Sequence, residues 1–245
     1  MRDMPKTRFK KAAIVVAVSV ALLCLGGCAV PASSNESGSF DSATPTLDKS
    51  RLYGPGESIE VGGIVSGGGG PSSANELSIG YPSIIKSTSL PDGVNVSDFK
   101  GGSFDESSAN SMKEQLGFAP DSQGALPPGN SYVLVQEAVT NTTGEPVSYD
   151  VSRAQFALVN QSGGLSYVGT NEPLWHDAWD GGNLKQYWIV SVDAGATLEV
   201  KLLYALPDDA IDADGLVYLV DPGNANGEEG FVGLKAFDVA GQIQG

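Results

Sequence analysis

The sequence predicts an all-β fold, an antiparallel β-sandwich with one short helix. Short runs of alternating apolar and polar residues recur after residue 75, and turn residues separate them. Gly (32 residues) and Pro (14 residues) are more numerous than a helical protein needs. The pattern also lacks the helices of about 10–15 residues that alternate with strands in a parallel α/β sheet.

Seven or eight short strands account for this pattern. The clearest starts at Ser131, with Val133, Val135 and Val139 on one face and Tyr132, Leu134 and Ala138 on the other. Because both faces are mainly apolar, we expect a central strand here. The other predicted strands lie near Leu77–Tyr81, Phe156–Val159, Leu165–Val168, Tyr187–Val192, Thr197–Tyr204, Leu216–Val220 and Phe231–Phe237.

The segment Asp105–Leu116 is the one predicted helix. Asp105 can cap its first turn, Met112 and Leu116 share one face, and Gly117 is placed to end it. The Pro-rich stretch from Ala119 to Gly129 predicts a loop.

The N-terminus carries a targeting pattern. Five basic residues within Met1–Lys11 precede the apolar run Ala12–Leu25, which is shorter than the roughly 20 residues of a membrane span. The next residues, Leu25-Gly26-Gly27-Cys28, resemble the lipobox of bacterial lipoproteins, in which small residues precede a cysteine that becomes lipid-modified. The alternative is an uncleaved signal anchor whose cysteine is merely buried.

The lipobox places residues 1–27 in a signal peptide and the rest on the extracytoplasmic face of the cell membrane, held by lipid on Cys28. Cleavage would remove five of the 14 basic residues and one of the 29 acidic residues. The only cysteine left would be Cys28, so an intramolecular disulfide is excluded. The net charge of −15, without a basic stripe, argues against nucleic acid as a partner.

Residues 28–74 have the composition of a flexible tether. Gly, Ser and Pro make up half of Ala29–Ala74, and Gly67–Gly70 is an unbroken glycine run. Such a segment has too little apolar surface to offset the entropy of ordering it. We therefore predict a disordered tether over 28–74 and one folded domain over 75–240. The alternative is that Ile59–Val65 pairs as a weak edge strand.

Four segments in this order resemble a large family of immunoglobulin-like domains of unknown function found on bacterial lipoproteins and secreted proteins: Gly129–Val135 continuing to Thr142, Phe156–Val159, Asp193–Val200 and Leu203–Pro207. The family is similar in fold to the immunoprotective extracellular antigens. The resemblance implies an immunoglobulin-like sandwich from about Gly129 to Asp221. It implies no catalytic residues.

A candidate ligand-binding loop combines aromatic rings with carboxylates. Its residues are Trp175, His176, Asp177, Trp179 and Asp180. Aromatic rings stack on sugars or grip an apolar partner, and carboxylates orient polar groups, so the expected partner is an extracellular protein or a glycan. The alternative places Trp175 and Trp179 on the buried side of a helical turn. A single histidine excludes a His-rich zinc site, and no Gly-x-Ser-x-Gly motif supports a hydrolase.

A second candidate site is an acidic turn with Asp208, Asp209, Asp212 and Asp214. Clustered carboxylate oxygens suit Ca²⁺, so a weak calcium site is one hypothesis, although the spacing does not match an EF-hand. A solvated turn in which aspartates cap the backbone is the alternative. No other cofactor is predicted.

The leading function is a lipid-anchored extracytoplasmic binding or interaction module whose ligand the sequence does not identify. The alternatives are a surface enzyme or its accessory subunit, and a purely structural envelope lipoprotein. An open cleft holding Trp175, Trp179 and acidic residues would favour binding. A buried His176 hydrogen-bonded beside Ser and Asp would favour an enzyme, and burial of both tryptophans without a cleft would favour the structural role.

Overall fold

Two β-sheets form the body of the fold. The computed structural model describes residues 47, 52–64, 72, 74–221 and 234–245, which belong to one compact unit. Its strands are β1 (Leu52–Tyr53), β2 (Ser58–Val61), β3 (Leu77–Gly80), β4 (Ser83–Ser87), β5 (Asn130–Asn141), β6 (Val147–Asp150), β7 (Ala154–Val159), β8 (Leu165–Tyr167), β9 (Trp175–His176), β10 (Ile189–Val192), β11 (Thr197–Pro207), β12 (Leu216–Val220) and β13 (Lys235–Asp238). Its α-helices are α1 (Glu106–Leu116) and α2 (Asp208–Ile211), and 3-10 segments cover Val96–Gly102, Val151–Arg153 and Leu184–Gln186.

The strand order confirms the predicted all-β sandwich. One sheet has the order β1-β13-β12-β7-β8, and the other has the order β2-β3-β5-β11-β9, with β4 also paired to β5. Strands β6 and β10 form a separate two-stranded pair. The pairing between β1 and β13 is parallel, which the prediction of a fully antiparallel fold did not include.

The longest pairing joins β5 to β11, in register from Asn130 opposite Pro207 to Thr140 opposite Thr197. One face of this ladder, including Val133, Val135 and Val139, packs in the main core with side chains of the facing sheet. The predicted central strand is therefore confirmed. Its neighbours are β11 on one side and β3 and β4 on the other.

Part of the opposite face of the ladder lies under a second apolar cluster. Tyr132 of β5 and Leu203 of β11 pack there with Phe99 and with Met112 of α1. The predicted helix is confirmed with both of its ends: the Asp105 carboxylate accepts a hydrogen bond from the Ser108 amide at 2.8 Å, and Gly117 ends the helix in the left-handed conformation. The segment around α1 thus shields the outer face of the six-stranded sheet.

The folded domain begins earlier than predicted. Strands β1 and β2 lie within the range assigned to the tether, and Ile59 and Val61 of β2 are fully buried. Leu47 is buried as well. The alternative of an edge strand describes Ile59–Val61 correctly, and burial of these few apolar side chains compensates for the polar composition around them. The signal peptide, Cys28 and most of the proposed tether lie outside the described residues.

Two further local predictions are corrected, and a third lies partly outside the described residues. The acidic turn predicted as loop contains the one-turn helix α2, so the domain has more than one α-helix. Tyr187 and Trp188, predicted as strand residues, follow a 3-10 turn, and the strand begins at Ile189. The start of the strand predicted at Phe231 lies outside the described residues, and β13 begins at Lys235.

In the described part of the chain, no helix combines the length and the apolar character needed to cross a membrane.

A carboxyl group lies in the middle of the main core. Glu137 of β5 is fully buried, and its Oε1 lies 2.6 Å from the Tyr218 hydroxyl. The Tyr149 hydroxyl donates to its Oε2 at 3.4 Å. Burial raises the pKa of the Glu137 carboxyl to about 7, and the hydrogen bonds from Tyr218 and Tyr149 act in the opposite direction.

Counting protons explains why the neutral acid fits this core. Tyr218 also lies 3.2 Å from the Tyr204 hydroxyl, which donates to the Ala154 carbonyl at 3.0 Å. A chain from Glu137 through Tyr218 and Tyr204 to Ala154 has three contacts and needs three protons. With a neutral Glu137, the acid can donate to Tyr218, Tyr218 to Tyr204, and Tyr204 to the carbonyl, so each contact has its proton. With an ionised Glu137, Tyr218 donates to the carboxylate, and the contact between Tyr218 and Tyr204 is left without a proton.

We predict that Glu137 makes the domain less stable as pH rises. The folded state keeps this proton up to about pH 7, whereas the unfolded chain loses it near the ordinary pKa of 4.5. The Glu137 contribution is therefore greatest below pH 4.5, and about 3 kcal/mol of it is lost as pH rises from about 4.5 through the folded-state pKa of about 7.

The measurement is urea unfolding between pH 4.5 and 8 for the wild type and for Glu137→Gln, which mimics the neutral acid. The difference between the two proteins isolates this carboxyl from the many surface acids. Across this range, the free energy of unfolding of the variant should rise by about 3 kcal/mol relative to that of the wild type. A difference that does not change with pH would show that Glu137 is ionised throughout.

Candidate functional site

A cleft of about 390 Å³ lies at β9, the edge strand of the six-stranded sheet. It is lined by Gly93, Ser97, Asp98, Gly101, Gly102, Trp175, His176, Asp177 and Trp179. Two segments far apart in sequence therefore form its walls: the turn that precedes α1, and the loop predicted as a ligand site.

The wall from Trp175 to Trp179 is fixed by pairing with β11. Trp175 lies opposite Leu203 and His176 lies opposite Leu202 in an antiparallel pair. Asp177 extends the pairing, because its Oδ1 accepts a hydrogen bond from the Lys201 amide at 2.8 Å. The first part of the loop, from Trp175 to Asp177, is thus held as an extension of the sheet.

Aromatic rings gather behind this wall. The Tyr187 ring lies 4.4 Å from His176, 4.5 Å from Trp188 and 5.2 Å from Trp179, measured between ring centres. Together with Trp175, these residues include all three tryptophans of the chain. Tryptophan fluorescence therefore reports on this region alone.

The opposite wall depends on an unusual backbone at Lys100, which has a φ of +49°. Its amide donates to the Leu174 carbonyl at 2.8 Å, and its ammonium group forms an ion pair with Glu172. Gly101 follows with a φ of +65°, and a Cβ built there would lie 2.8 Å from Cδ2 of Tyr187. Only glycine lets this wall approach the tyrosine ring so closely.

His176 is 2% exposed, and its Nε2 lies 2.7 Å from the Tyr187 carbonyl oxygen. A carbonyl only accepts, so Nε2 carries the hydrogen. Burial lowers the pKa of His176, opposed by that hydrogen bond and by the charge of Asp177. Nδ1 is buried and has no hydrogen-bond partner among the described residues. The imidazole is therefore neutral at pH 7, with an unused acceptor.

The Tyr187 hydroxyl is also buried without a partner of hydrogen-bonding geometry in the described part of the chain. Burial raises the pKa of Tyr187 to about 12, opposed by the nearby backbone of His176 and of Gly101. The hydroxyl therefore keeps its proton and can donate it. A buried donor and a buried acceptor, both unpaired, belong to two rings in contact.

Among the described residues that line the cleft, the charged side chains are the two carboxylates of Asp98 and Asp177. Asp98 Oδ2 accepts from the Asn95 amide at 2.7 Å, and Asp177 binds Lys201 as described. Each carboxylate has a second oxygen that can accept from a ligand. The cleft therefore suits a ligand that brings hydrogen-bond donors.

The structure gathers most of the predicted ligand loop. Trp175, His176, Asp177 and Trp179 line the cleft, whereas Asp180 does not and accepts a hydrogen bond from the Gly182 amide at 3.0 Å. The helical-turn alternative is wrong, since Trp175 lies in a strand. The prediction missed Asp98 and Gly101, because no sequence signal links them to residues more than 70 positions away.

The four aspartates of the acidic turn do not converge. Asp208 accepts from the Ser131 hydroxyl at 2.6 Å and pairs with the Lys86 ammonium at 3.0 Å. Those hydrogen bonds and the charge of Lys86 lower the pKa of Asp208. The described residues contain no group of three or more His, Cys, Asp or Glu side chains that could hold a metal ion. The calcium hypothesis for Asp208, Asp209, Asp212 and Asp214 therefore lacks the required geometry.

The arrangement expected for a nucleophile and its base is not formed around His176 either. Its one hydrogen bond in the described structure is to a backbone carbonyl, and Asp177 is directed to Lys201. A larger groove of about 590 Å³ between α1 and residues 170–174 is lined by small polar side chains, by the ion pair of Lys100 and Glu172, and by the apolar Phe104, Met112, Leu116 and Leu174. It has no cluster of aromatic rings.

Comparisons with known proteins identify no family. No family model matches the chain. No curated protein matches it.

Two solved structures are similar to parts of the chain. One is the cupredoxin domain of amoB from Nitrosocaldus yellowstonii, with 11% identity, covering 70% of this chain and 89% of that one, at a TM-score of 0.28. The other is an uncharacterized β-sandwich protein from Clostridium difficile 630, with 12% identity, covering 72% and 92%, also at 0.28. The fold class of the present chain rests on its own sheets.

We predict that Gly101→Ala distorts the aromatic cluster. The added methyl would lie 2.7 Å from Cδ2 of Leu184 and 2.8 Å from Cδ2 of Tyr187, in a left-handed conformation. The conformation alone costs about 1–2 kcal/mol, and the overpacking adds about 1–3 kcal/mol. Thermal unfolding and the near-ultraviolet circular dichroism of the tryptophans measure both effects.

Gly181→Ala is the matched control, because Gly181 has a φ of +84° and nothing within 4 Å of the added Cβ. It should lose only the stability that the left-handed conformation costs, and its near-ultraviolet circular dichroism should not change. Equal losses and unchanged spectra in both variants would mean that Gly101 is not needed for the close approach.

Proposed function

We propose that this protein is a lipid-anchored extracytoplasmic binding module that takes its ligand in the cleft between Ser97–Gly102 and Trp175–Trp179. The support for export and anchoring comes from the sequence: a basic start, the short apolar run Ala12–Leu25, and Cys28 after two glycines. A diacylglycerol on Cys28 would supply the two acyl chains that stable anchoring requires.

The observation that carries the binding proposal is the composition of the cleft. Half-buried Trp175 and Trp179 line it beside Asp98 and Asp177. Tryptophan is highly buried on average in folded proteins, so two half-buried tryptophans in one open cleft are a distinctive feature. An open cleft with tryptophans, acidic groups and a buried histidine is the arrangement expected of a specific ligand site.

The walls are held in place before any ligand arrives. Pairing with β11 fixes one wall, and the contacts of Lys100 with Leu174 and Glu172 fix the other. A site held in this way loses little conformational entropy on binding. Acidic lining and a chain charge of −15 disfavour anionic ligands. A glycan whose rings stack on tryptophan fits these properties.

We predict saturable binding of a glycan that depends on Trp179. Maltohexaose, cellohexaose and chitohexaose, with hexalysine as a cationic probe, would be titrated while tryptophan fluorescence is recorded. Calorimetry then compares the wild type with Trp179→Ala, which should lose at least about tenfold in affinity because an aromatic contact is removed.

The control is Tyr167→Ala, which removes an aromatic side chain that is 40% exposed on β8, outside the cleft. It should bind like the wild type. The absence of a saturable response to every probe, or equal affinity in Trp179→Ala, would contradict the proposed site.

We also predict that Cys28→Ala releases the protein from the membrane or leaves it unprocessed. Without the thiol no thioether to diacylglycerol can form. Membrane fractionation with mass spectrometry of the N-terminal peptide measures the result. Cys24→Ala is the control and should leave anchoring unchanged, since bulky Leu23 makes Cys24 a poor lipobox cysteine. A mature, firmly bound Cys28→Ala protein would disprove the assignment.

A further inference from the structure

The cleft and the larger groove beside α1 are neighbours along the same two walls. On one wall, Lys100 lines the groove and the next residue, Gly101, lines the cleft. On the other wall, Leu174 lines the groove and Trp175 lines the cleft. Consecutive residues lie only about 3.8 Å apart at their Cα atoms. The groove of about 590 Å³ and the cleft of about 390 Å³ therefore meet at these residues.

One bridge between the walls separates the two cavities. The Lys100 amide donates to the Leu174 carbonyl at 2.8 Å, and the Lys100 ammonium group forms an ion pair with Glu172. The Lys100 side chain is 31% exposed and the Glu172 side chain is 39% exposed, so part of each faces solvent. A ligand that passes over this bridge can accept a hydrogen bond from the ammonium group and donate one to the carboxylate.

The wall formed by residues 170–177 is held by β11 in the groove as well as in the cleft. In the groove, the Thr170 amide donates to the Ala205 carbonyl at 3.1 Å, and the Leu174 amide donates to the Leu203 carbonyl at 2.6 Å. The pairing of β9 with β11 continues this line into the cleft. A ligand that lies along a wall fixed in this way meets a surface that loses little conformational entropy on binding.

The groove offers both polar and apolar surface to such a ligand. Ser111 of α1 and Asn171 of the opposite wall are exposed. The Gln115 side-chain amide donates to the Ser111 hydroxyl oxygen at 3.1 Å, so the serine hydrogen and the glutamine carbonyl oxygen can bind a ligand. Half-buried Phe104 and Leu116 add apolar surface. Sugar rings combine hydroxyl groups with apolar C–H faces and so match this mixed lining.

We infer that the groove is the second part of the same binding site, and that the ligand is an oligosaccharide or polysaccharide chain that crosses the bridge. This inference rests on the proposed function and names the ligand class. Sugar units at one end of the chain stack on the tryptophans of the cleft, and the following units lie in the groove beside α1. The second set of contacts adds affinity because it forms within a complex that already exists.

The test alters the groove and leaves the cleft intact. Ser111→Leu removes a hydroxyl group and adds bulk on the side of α1 that lines the groove. Asn110→Leu is the matched control, because Asn110 is the preceding residue of α1, is exposed and does not line the groove. Leucine is a good helix former, so neither variant should lower the melting temperature.

Calorimetry compares maltose with maltohexaose, cellobiose with cellohexaose, and chitobiose with chitohexaose. Ser111→Leu should weaken the responding hexasaccharide by about fivefold or more, because a hydrogen bond in the groove is lost. The disaccharide of the same series should bind this variant as it binds the wild type. Trp179→Ala should weaken both sugars, and Asn110→Leu should weaken neither. Each sugar is compared with itself, so the several overlapping disaccharide segments of a hexasaccharide do not affect the result.

The outcomes separate this inference from the proposed function. A hexasaccharide that binds Ser111→Leu as tightly as the wild type would overturn the extended site and keep the cleft as a sugar site. Equal weakening of both sugar lengths in Ser111→Leu would also overturn it, since the substitution would then act on the cleft. Saturable binding of hexalysine with no response to any sugar would keep a binding site and overturn the carbohydrate chain as its ligand. The absence of a response to every probe would contradict the proposed function itself.

Discussion

The ladder between β5 and β11 is the constraint on which the rest of the structure depends. Its register, from Asn130 opposite Pro207 to Thr140 opposite Thr197, decides which side chains face the opposite sheet and which face the layer around α1. A shift by one residue would exchange the two faces and place Glu137 outside the core. It would also move Leu202 and Leu203, on which β9 pairs, and with them the cleft.

That register requires an acid in the core, and the facing strands accommodate it. Tyr149 of β6 and Tyr218 of β12 converge on Glu137, and Tyr204 continues the chain of hydroxyls. An isolated carboxylate in this position would be strongly unfavourable, whereas a neutral acid within a complete chain of hydrogen bonds is tolerated. The polar centre also favours the native register over a shift by two residues, because such a shift keeps Glu137 on the core face but moves its carboxyl away from its tyrosines.

The sequence predicts the elements whose signals are local. Asp105 and Gly117 mark the ends of α1, and the alternation after Ser131 marks β5, so both could be placed without knowing the fold. Strand β2 could not, because its two buried residues sit within a Gly-rich and Ser-rich stretch and are ordered only by pairing with β3. The loop at Trp175 was found from its composition. Its opposite wall was not, since the fold alone brings residues 97–102 to it.

The aromatic cluster behind the cleft contains two buried polar atoms, Nδ1 of His176 and the Tyr187 hydroxyl, that have no hydrogen-bond partner among the described residues. A phenylalanine at position 187 would occupy nearly the same volume without an unpaired hydroxyl, and the aromatic contacts to Trp179 and Trp188 would remain. The wall at Gly101 already adopts a conformation that favours glycine in order to approach that ring. The Tyr187 hydroxyl itself therefore adds nothing to the stability of the folded state. The close approach of Gly101 instead serves the packing of the Tyr187 ring, whose contacts with Trp179 and Trp188 hold the aromatic cluster together behind the cleft.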